Sequence, residues 1–214
     1  MRSFRSFRSE PFLWIHLSGI AVLPLFLQVV WLGLAVGDPV LPFWLEFLPI
    51  AALGILPVLW MQWHRPFDIF SILILALRSE ELTSEQLKIL SLFKTTKHRL
   101  LAVMTAVFLF WLLWKIYLVA PAVAMVAPFP PQWRIAGLLL AALAFLASNL
   151  FLQIPVSVLG VLITNKEQFE QQEPWDRNVI TQDFVIPGFR VKQILPIATT
   201  ENEEEQAEES SNPV

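Results

Sequence analysis

Few side chains in this 214-residue sequence have the types and spacing that enzymatic chemistry requires. There is no cysteine, which excludes disulfides, thiolate metal sites and cysteine nucleophiles. The sequence contains no HExxH, P-loop, GxGxxG or GxSxG motif, and its seven glycines argue against a phosphate-cradling loop. No two of the three histidines are spaced to hold one metal ion on one helix face, so we expect no metal site. The pattern favours a protein that is not an enzyme.

Five polar side chains interrupt long apolar segments and are the candidates for a role inside a membrane: Lys115, Glu46, Gln28, Asn149 and Gln153. An ionised lysine at the centre of a membrane helix costs roughly 2.5–3.5 kcal/mol. We therefore expect Lys115 either to reach the outer headgroups or to pair with Glu46, which lies at a similar depth if the second and third helices are neighbours. Gln28 lies slightly deeper and could join this pair. Such a pair would hold helices together more than form a transport path.

Asn149 and Gln153 are four residues apart, so they share one face of a helix. We expect them to hydrogen-bond a neighbouring helix, each contributing on the order of 0.6 kcal/mol. A contact with a solute or pigment is the alternative. His16 and His64 lie near the predicted inner surface, where a histidine either occupies a polar interface or ligates a chlorophyll magnesium or haem iron. No cofactor is otherwise expected, and chlorophyll bound through His16 or His64 is the one alternative.

The elements that must position these residues are apolar segments. Hydrophobic residues make up 56% of the chain, charged residues 15%, and the mean hydropathy is +0.59. A hydrocarbon core about 30 Å thick needs roughly 20 apolar residues in a helix. Four continuous segments meet this requirement, at residues 12–36, 41–63, 100–120 and 135–163. We predict an all-α integral membrane protein, a four-transmembrane-helix bundle with cytoplasmic amphipathic connector helices and a disordered acidic C-terminal tail.

Positive charge predicts the orientation of these helices. Thirteen of the 15 basic residues lie in the N-terminal arm, in the connector between the second and third helices, or after the fourth helix. Because lysine and arginine are concentrated on the cytoplasmic side of membrane proteins, both termini are predicted to be cytoplasmic, at a thylakoid or plasma membrane. We expect several of these side chains to bind anionic headgroups at the membrane surface: Arg2, Arg5, Arg8, Lys94, Lys97 and Arg99. No basic stripe lies on a soluble face, so a nucleic-acid partner is not expected.

Composition divides the chain into six segments: a basic-aromatic arm (1–11), a transmembrane hairpin (12–63), a cytoplasmic amphipathic connector (64–99), a second hairpin (100–163), an extended cytoplasmic arm (164–200) and a disordered acidic tail (201–214). Within the connector, Asp68 could cap a short helix over Ile69–Leu77 that lies at the membrane interface or packs under the bundle. Thr83 and Gln86 match a capping box that begins an amphipathic helix. This helix would lie on the membrane surface or dock against a partner helix.

Four stretches of the sequence carry a resemblance to a known family: Phe4-Arg5-Ser6 through Pro11-Phe12-Leu13-Trp14-Ile15-His16-Leu17, Leu32-Gly33-Leu34-Ala35-Val36-Gly37-Asp38-Pro39, Arg65-Pro66-Phe67-Asp68-Ile69-Phe70-Ser71, and Ile89-Leu90-Ser91-Leu92-Phe93-Lys94. Together with the Glu-rich end, they resemble the cyanobacterial low-complexity tail membrane protein family. The resemblance covers most of the chain outside the acidic tail. It implies a multi-helix membrane protein of a phototroph, without an attached reaction, and favours a role in photosynthetic membranes.

Three functions follow as hypotheses. The first is a non-enzymatic auxiliary or assembly factor of photosynthetic membrane complexes, with the lipid bilayer and a membrane-protein complex as its partners. The second is a small oligomeric transporter or channel that uses Lys115, Glu46, Asn149 and Gln153 together with proline kinks. The third is a pigment-binding membrane protein that uses His16 or His64.

Overall fold

The computed structural model describes residues 7–72 and 74–194. Within them, four helices are long and apolar enough to cross a membrane, which confirms the predicted architecture. These helices are α1 (Pro11–Leu34), α2 (Phe43–His64), α4 (Thr96–Val126) and α5 (Pro131–Leu162). The helix between α2 and α4 is α3 (Ser84–Phe93). The predictions for Arg2, Arg5 and the acidic tail lie outside the described residues.

Short 3-10 turns interrupt or extend three of the long helices. In α1 the turn covers Gly19–Val22, α4 continues as a 3-10 helix over Ala120–Val126, and α5 begins with Pro131–Trp133. Prolines lie inside all four long helices: Pro24 in α1 just after its 3-10 turn, Pro49 and Pro57 in α2, Pro121 in the 3-10 part of α4, and Pro155 in α5. Each proline removes one internal hydrogen bond from its helix and leaves a backbone carbonyl without its usual N–H donor. A nearby polar group must then donate a hydrogen bond to that carbonyl.

The most enclosed of the four long helices is α5, which packs against each of the other three. Small residues on α5 let a neighbouring backbone come close, as is usual between membrane helices. At the crossing with α1, a β-carbon added to Gly137 would lie 2.6 Å from the Val36 β-carbon, and one added to Gly33 would lie 2.7 Å from the Gly137 carbonyl oxygen. Larger side chains fill the centre of the bundle around Leu109 and Phe145, both fully buried.

A folded unit covers the end of the bundle at which α1 begins and α5 ends. We call this unit the cap and define it as residues 65–72, 74–95 and 164–194. Its core is apolar and packs against the first turn of α1 and the last turns of α5. Besides α3, it contains α6 (Lys166–Glu170), α7 (Ile180–Asp183) and a three-stranded sheet of β1 (Ser71–Ile72), β2 (Leu75–Leu77) and β3 (Phe189–Val191).

The capping box that begins α3 is confirmed. The Thr83 hydroxyl accepts from the Gln86 backbone N–H at 3.3 Å, and the Gln86 side chain accepts from the Thr83 N–H at 2.9 Å. Seven of the ten residues of α3 are buried, including Ser91, so this helix packs within the cap. Whether the cap also lies against the membrane surface or against a partner stays a prediction. The chain's own C-terminal segment covers the face that was predicted to meet lipid or a partner helix.

The helix predicted over residues 69–77 is wrong, because this segment forms strands β1 and β2. They pair as an antiparallel hairpin, with Ser71 opposite Ala76. Strand β2 also pairs in parallel with β3, placing Leu75 opposite Phe189. The pairing with a segment more than one hundred residues away outweighs the local helical pattern.

The extended arm predicted over residues 164–200 is, where described, part of the folded cap through α6, α7 and β3. Gly188 makes the approach to β2 possible: its φ is +74°, and a side chain there would overlap the Ile74 backbone. Phe7 and Phe169 stack at 4.2 Å between ring centroids, so the described beginning and end of the chain lie at the same end of the bundle.

Candidate functional site

A buried carboxylate organises the end of the bundle opposite the cap, which we call the loop end (residues 35–42 and 127–133, with the helix termini beside them). Glu46, in the first turn of α2, is 1% exposed. Its Oε1 accepts from the backbone N–H groups of Val40 at 3.0 Å and Leu41 at 3.3 Å. Its Oε2 accepts from the Tyr117 hydroxyl of α4 at 3.0 Å. The carboxylate thus joins the loop after α1 to two helices.

Arg134, at the start of α5, supplies the opposite charge. It is 3% exposed, and its Nε and Nη2 both donate to Glu46 Oε2, the former at 3.1 Å. Its Nη1 donates to the carbonyl oxygens of Leu34 at 2.6 Å, Val36 at 3.0 Å and Gly37 at 3.4 Å. These acceptors lie where α1 ends, so one guanidinium satisfies carbonyls that a helix terminus would otherwise leave unpaired. The Arg134 guanidinium thus neutralises the Glu46 carboxylate and at the same time donates hydrogen bonds to the carbonyls at the end of α1.

The predicted pairing of Lys115 with Glu46 is wrong. Lys115 is exposed on the outer surface of α4, and its Nζ lies 5.9 Å from the centroid of the Trp111 ring. The rotation of α4 about its axis directs Lys115 away from the bundle and brings Tyr117 to the carboxylate. Gln28 is also exposed, on α1.

Asn149 and Gln153 lie in the interior, midway along α5, at 0% and 1% exposure. Asn149 Nδ2 donates to the carbonyl oxygens of Gly54 at 2.8 Å and Ile55 at 3.4 Å, in the turn of α2 that precedes Pro57. The expected interhelical hydrogen bond of Asn149 is therefore present. Asn149 Oδ1 and both polar atoms of Gln153 have no hydrogen-bond partner among the described residues.

The histidines lie towards the cap end of the bundle. His16 Nδ1 is 2.9 Å from the Phe12 carbonyl, and His64 Nδ1 is 3.2 Å from the Trp60 carbonyl. His64 also stacks on Trp60, with 3.9 Å between ring centroids. Pigment ligation by His16 or His64 stays a prediction. His98 joins two helices, since its Nε2 is 3.1 Å from the Ser157 carbonyl oxygen of α5.

Several basic side chains expected at the membrane surface contact the chain itself. Arg8 donates to the Thr164 carbonyl at 3.2 Å, and Lys97 donates to Gln168 Oε1 at 3.4 Å. Lys94 forms an ion pair with Asp183 at 2.7 Å, while the Arg99 guanidinium lies 5.6 Å from the centroid of the Trp63 ring. Their binding to lipid headgroups stays a prediction, and the contacts show that these charges also have a structural role.

Asp68 is a buried acid of the cap. It is 1% exposed; its Oδ1 accepts from the Phe70 N–H at 2.9 Å, while its Oδ2 has no partner among the described residues. Burial raises the pKa of Asp68 to about 6, and the Phe70 hydrogen bond and the charge of Arg190 only partly offset this effect. Its carboxyl group is therefore poised to take up a proton slightly below neutral pH.

The sequence reading missed Arg134, Tyr117 and Asp68 as site residues. Arg134 directly precedes the fourth apolar segment, and an arginine next to a membrane helix can reach inwards as well as outwards. Tyr117 is the sole tyrosine of the chain. Its depth in the third apolar segment, close to that expected for Glu46, was the available signal. Asp68 was read only as a helix cap.

Four helices long and apolar enough to cross a membrane, packed around an apolar core that encloses a few buried polar residues, define this chain as a multi-span membrane protein. Comparison with protein-family models supports this class. Residues 9–196 match the model of the low-complexity tail membrane protein-like family, and the chain belongs to that family. A comparison of this chain with curated proteins found no match, and neither did a comparison with solved structures.

Replacing Arg134 with methionine should lower the free energy of unfolding by about 3–5 kcal/mol, because it leaves the Glu46 carboxylate buried without its counter-charge. The double variant Glu46→Gln/Arg134→Met should recover part of this loss, since it also removes the buried charge. Reversible unfolding in mixed detergent micelles, followed by tryptophan fluorescence, measures these differences.

Lys115→Met is the matched control for the loss of a basic side chain at the same depth. Because Lys115 is exposed, this variant should stay within about 0.5 kcal/mol of the natural chain. Equal losses in Arg134→Met and Lys115→Met would contradict the assignment of Arg134 as the partner of Glu46.

Asp68 should make the stability of the cap depend on pH. Because the pKa of Asp68 is raised in the folded chain, to about 6 from 3.8, folding favours its protonated form. Its contribution should become more favourable as the pH falls through 6, and the gain should be complete below the unfolded pKa. At pH 7.5, Asp68→Asn should be more stable than the natural chain by up to about 3 kcal/mol.

This difference between Asp68→Asn and the natural chain should shrink as the pH falls and vanish only below about pH 3, where Asp68 is protonated in both the folded and the unfolded state. Unfolding of both proteins over a pH series measures it, and the other titrating groups cancel because the two proteins share them. A difference that does not change with pH would contradict the raised pKa.

Proposed function

We propose that this protein is a non-enzymatic auxiliary or assembly factor of photosynthetic membrane complexes, acting through helix packing and through contacts of its cap. Family membership supports the membrane setting. The resemblance to a cyanobacterial family supports the view that the protein works in a phototroph. The observation that carries the contact role is a strip of exposed apolar side chains on the cap sheet.

This apolar strip consists of Ile74, Leu75 and Phe189, which are 65%, 38% and 74% exposed. Leu75 and Phe189 lie opposite each other on β2 and β3, so their side chains share one face of the sheet. Exposed apolar residues that cluster, unlike scattered ones, are typical of interaction sites. The strip therefore offers a partner a contact surface that is already fixed in a folded unit.

The edge of β3 strengthens this interpretation. The strand order β1-β2-β3 leaves one side of β3 unpaired by the described residues. An unpaired strand edge can pair with a strand of another chain. Edge pairing therefore favours a partner segment that is extended, a preference that apolar contacts alone would not create. The exposed Arg190 and Lys192 add positive charge beside the strip. These features together favour a protein partner with an extended, acidic segment.

The same proposal places the cap in the cytoplasm, at a thylakoid or plasma membrane. The cap contains most of the basic residues, among them Arg65, Lys88 and Arg177, whereas the loop end contains Arg134. That asymmetry is the signal that orients membrane helices.

The natural absence of cysteine allows a direct assay of orientation. Single cysteines at the exposed positions Glu173, in the cap, and Met125, at the loop end, should react differently with a membrane-impermeant maleimide. In spheroplasts of a bacterial host, Met125→Cys should be labelled directly and Glu173→Cys only after permeabilisation. The reverse pattern would place the cap outside the cytoplasm.

Phe189→Ser should reduce co-migration with the partner complex at least tenfold in gentle-detergent native gels of the host membranes, because it removes the largest side chain of the apolar strip. Met125→Ser is the control, since Met125 is fully exposed at the other end of the molecule. It should leave co-migration unchanged. A natural chain that migrates only alone would contradict the proposed function, as would a Phe189→Ser variant that co-migrates normally.

A small oligomeric transporter or channel is the second candidate, and the buried amides of Asn149 and Gln153 favour it. Of the four residues first considered for this role, Lys115 lies outside the bundle and Glu46 is neutralised by Arg134. One bundle of four helices leaves little room for a wet path, so this candidate needs association of several copies.

A further inference from the structure

The interior of the bundle contains a group of polar atoms that the chain itself leaves unsatisfied. Asn149 Oδ1, Gln153 Oε1 and Gln153 Nε2 are buried and have no hydrogen-bond partner within the described part of the chain. A buried donor or acceptor without a partner costs about 1–3 kcal/mol. Native proteins satisfy nearly all such groups, often with an internal water molecule. Three of them on two adjacent side chains indicate a ligand.

The geometry of the helix allows one small ligand to reach both side chains. Asn149 and Gln153 are separated by one turn of α5 and lie on the same face of it. Asn149 is held in place because its Nδ2 donates to the Gly54 carbonyl of α2 at 2.8 Å. That bond fixes the Asn149 amide and leaves its Oδ1 without a partner among the described residues.

The types of the free atoms decide the chemistry of the ligand. Two are carbonyl oxygens, which accept hydrogen bonds, and the third is an amide nitrogen with two N–H donors. A metal cation could be bound by the two oxygens but would leave the amide N–H groups of Gln153 without an acceptor, and an anion would leave the two oxygens without a donor. A neutral molecule that both donates and accepts satisfies all three.

We propose that Asn149 and Gln153 bind ordered water in the interior of the bundle, between α2 and α5. This site is separate from the surface of the cap and does not depend on the proposed auxiliary function. Water fits because it is the smallest molecule with both donor and acceptor capacity. In lipid the need is greater than in a soluble protein, because hydrocarbon offers no alternative partner.

Polar groups continue from this site towards the cap. Ser157 follows Gln153 by one further turn of α5 and is buried. The Ser157 carbonyl oxygen is 3.1 Å from His98 Nε2, and His98 Nδ1 is 2.9 Å from the Thr95 hydroxyl at the start of α4. Buried polar side chains thus recur at successive turns of α5 from Asn149 through Gln153 to Ser157, on the side of the site towards the cap.

Water-edited solid-state NMR of the full chain in lipid bilayers tests the proposal, with glutamine labelled by nitrogen-15. The rate of magnetisation transfer from water to the Gln153 side-chain amide should be at least three times the rate of transfer to the Gln28 side-chain amide. Gln28 is the reference because it is exposed on the outer surface of α1. The Gln153 signal is assigned by its loss in Gln153→Met, a change that preserves length. Gln153→Leu provides the assignment if the first variant does not fold.

Two results would overturn the proposal. The first is water transfer to Gln153 that is no faster than transfer to Gln28. The second is a direct contact between the Asn149 and Gln153 amides without water transfer, which would show that the two side chains satisfy each other. A dry Gln153 would also weigh against the transporter candidate, whereas the co-migration behaviour of Phe189→Ser would be unaffected.

Equilibrium unfolding provides an independent measurement. If the two amides are dry, Gln153→Met should raise the folding equilibrium constant tenfold or more, because it removes unsatisfied polar atoms. If they bind water, the variant should show no such gain. Gln28→Met is the control, since it makes the same change at an exposed position.

Discussion

The contact between Glu46 and Arg134 is the interaction on which the loop end depends. A carboxylate and a guanidinium that are both withdrawn from water need each other and need further hydrogen bonds. Here the carboxylate also takes two backbone N–H groups and the Tyr117 hydroxyl, while the guanidinium takes carbonyls at the end of α1. The network therefore fixes the relative positions of all four long helices at one end. No apolar pair of the same volume would satisfy those backbone groups.

Charge has a different role at the cap end. There, hydrogen bonds from basic side chains to backbone carbonyls join the connector to the C-terminal segment: Arg65 of the connector donates to Thr181 at 2.8 Å and Lys88 to Glu170 at 3.1 Å, while Arg177 of the C-terminal segment donates to Leu82 at 2.8 Å. The C-terminal segment is thus held to the connector by side chains that are partly solvated. A residue that orients the protein during insertion can later hold the folded cap together.

The sequence predicted the features that depend on local pattern. Continuous hydropathy located the four long helices, and the Thr83–Gln86 capping box located the start of α3, because both signals lie within one segment. The features that depend on distant segments were not predictable in this way. The segment over 69–77 becomes a hairpin because β3 pairs with it. Lys115 and Tyr117 are two residues apart on α4, and only the rotation of that helix decides which one meets Glu46.

The two polar regions inside the bundle differ in a way that bears on function. At the loop end, Glu46 and Arg134 are satisfied by the protein, so the network leaves no need for a ligand. Midway along α5, Asn149 is satisfied only in part and Gln153 not at all by the described residues. Buried serines flank these amides on both sides along α5, Ser148 towards the loop end and Ser157 towards the cap. The two amides, and not the ion pair, are therefore the part of the interior in which a small polar molecule would find partners.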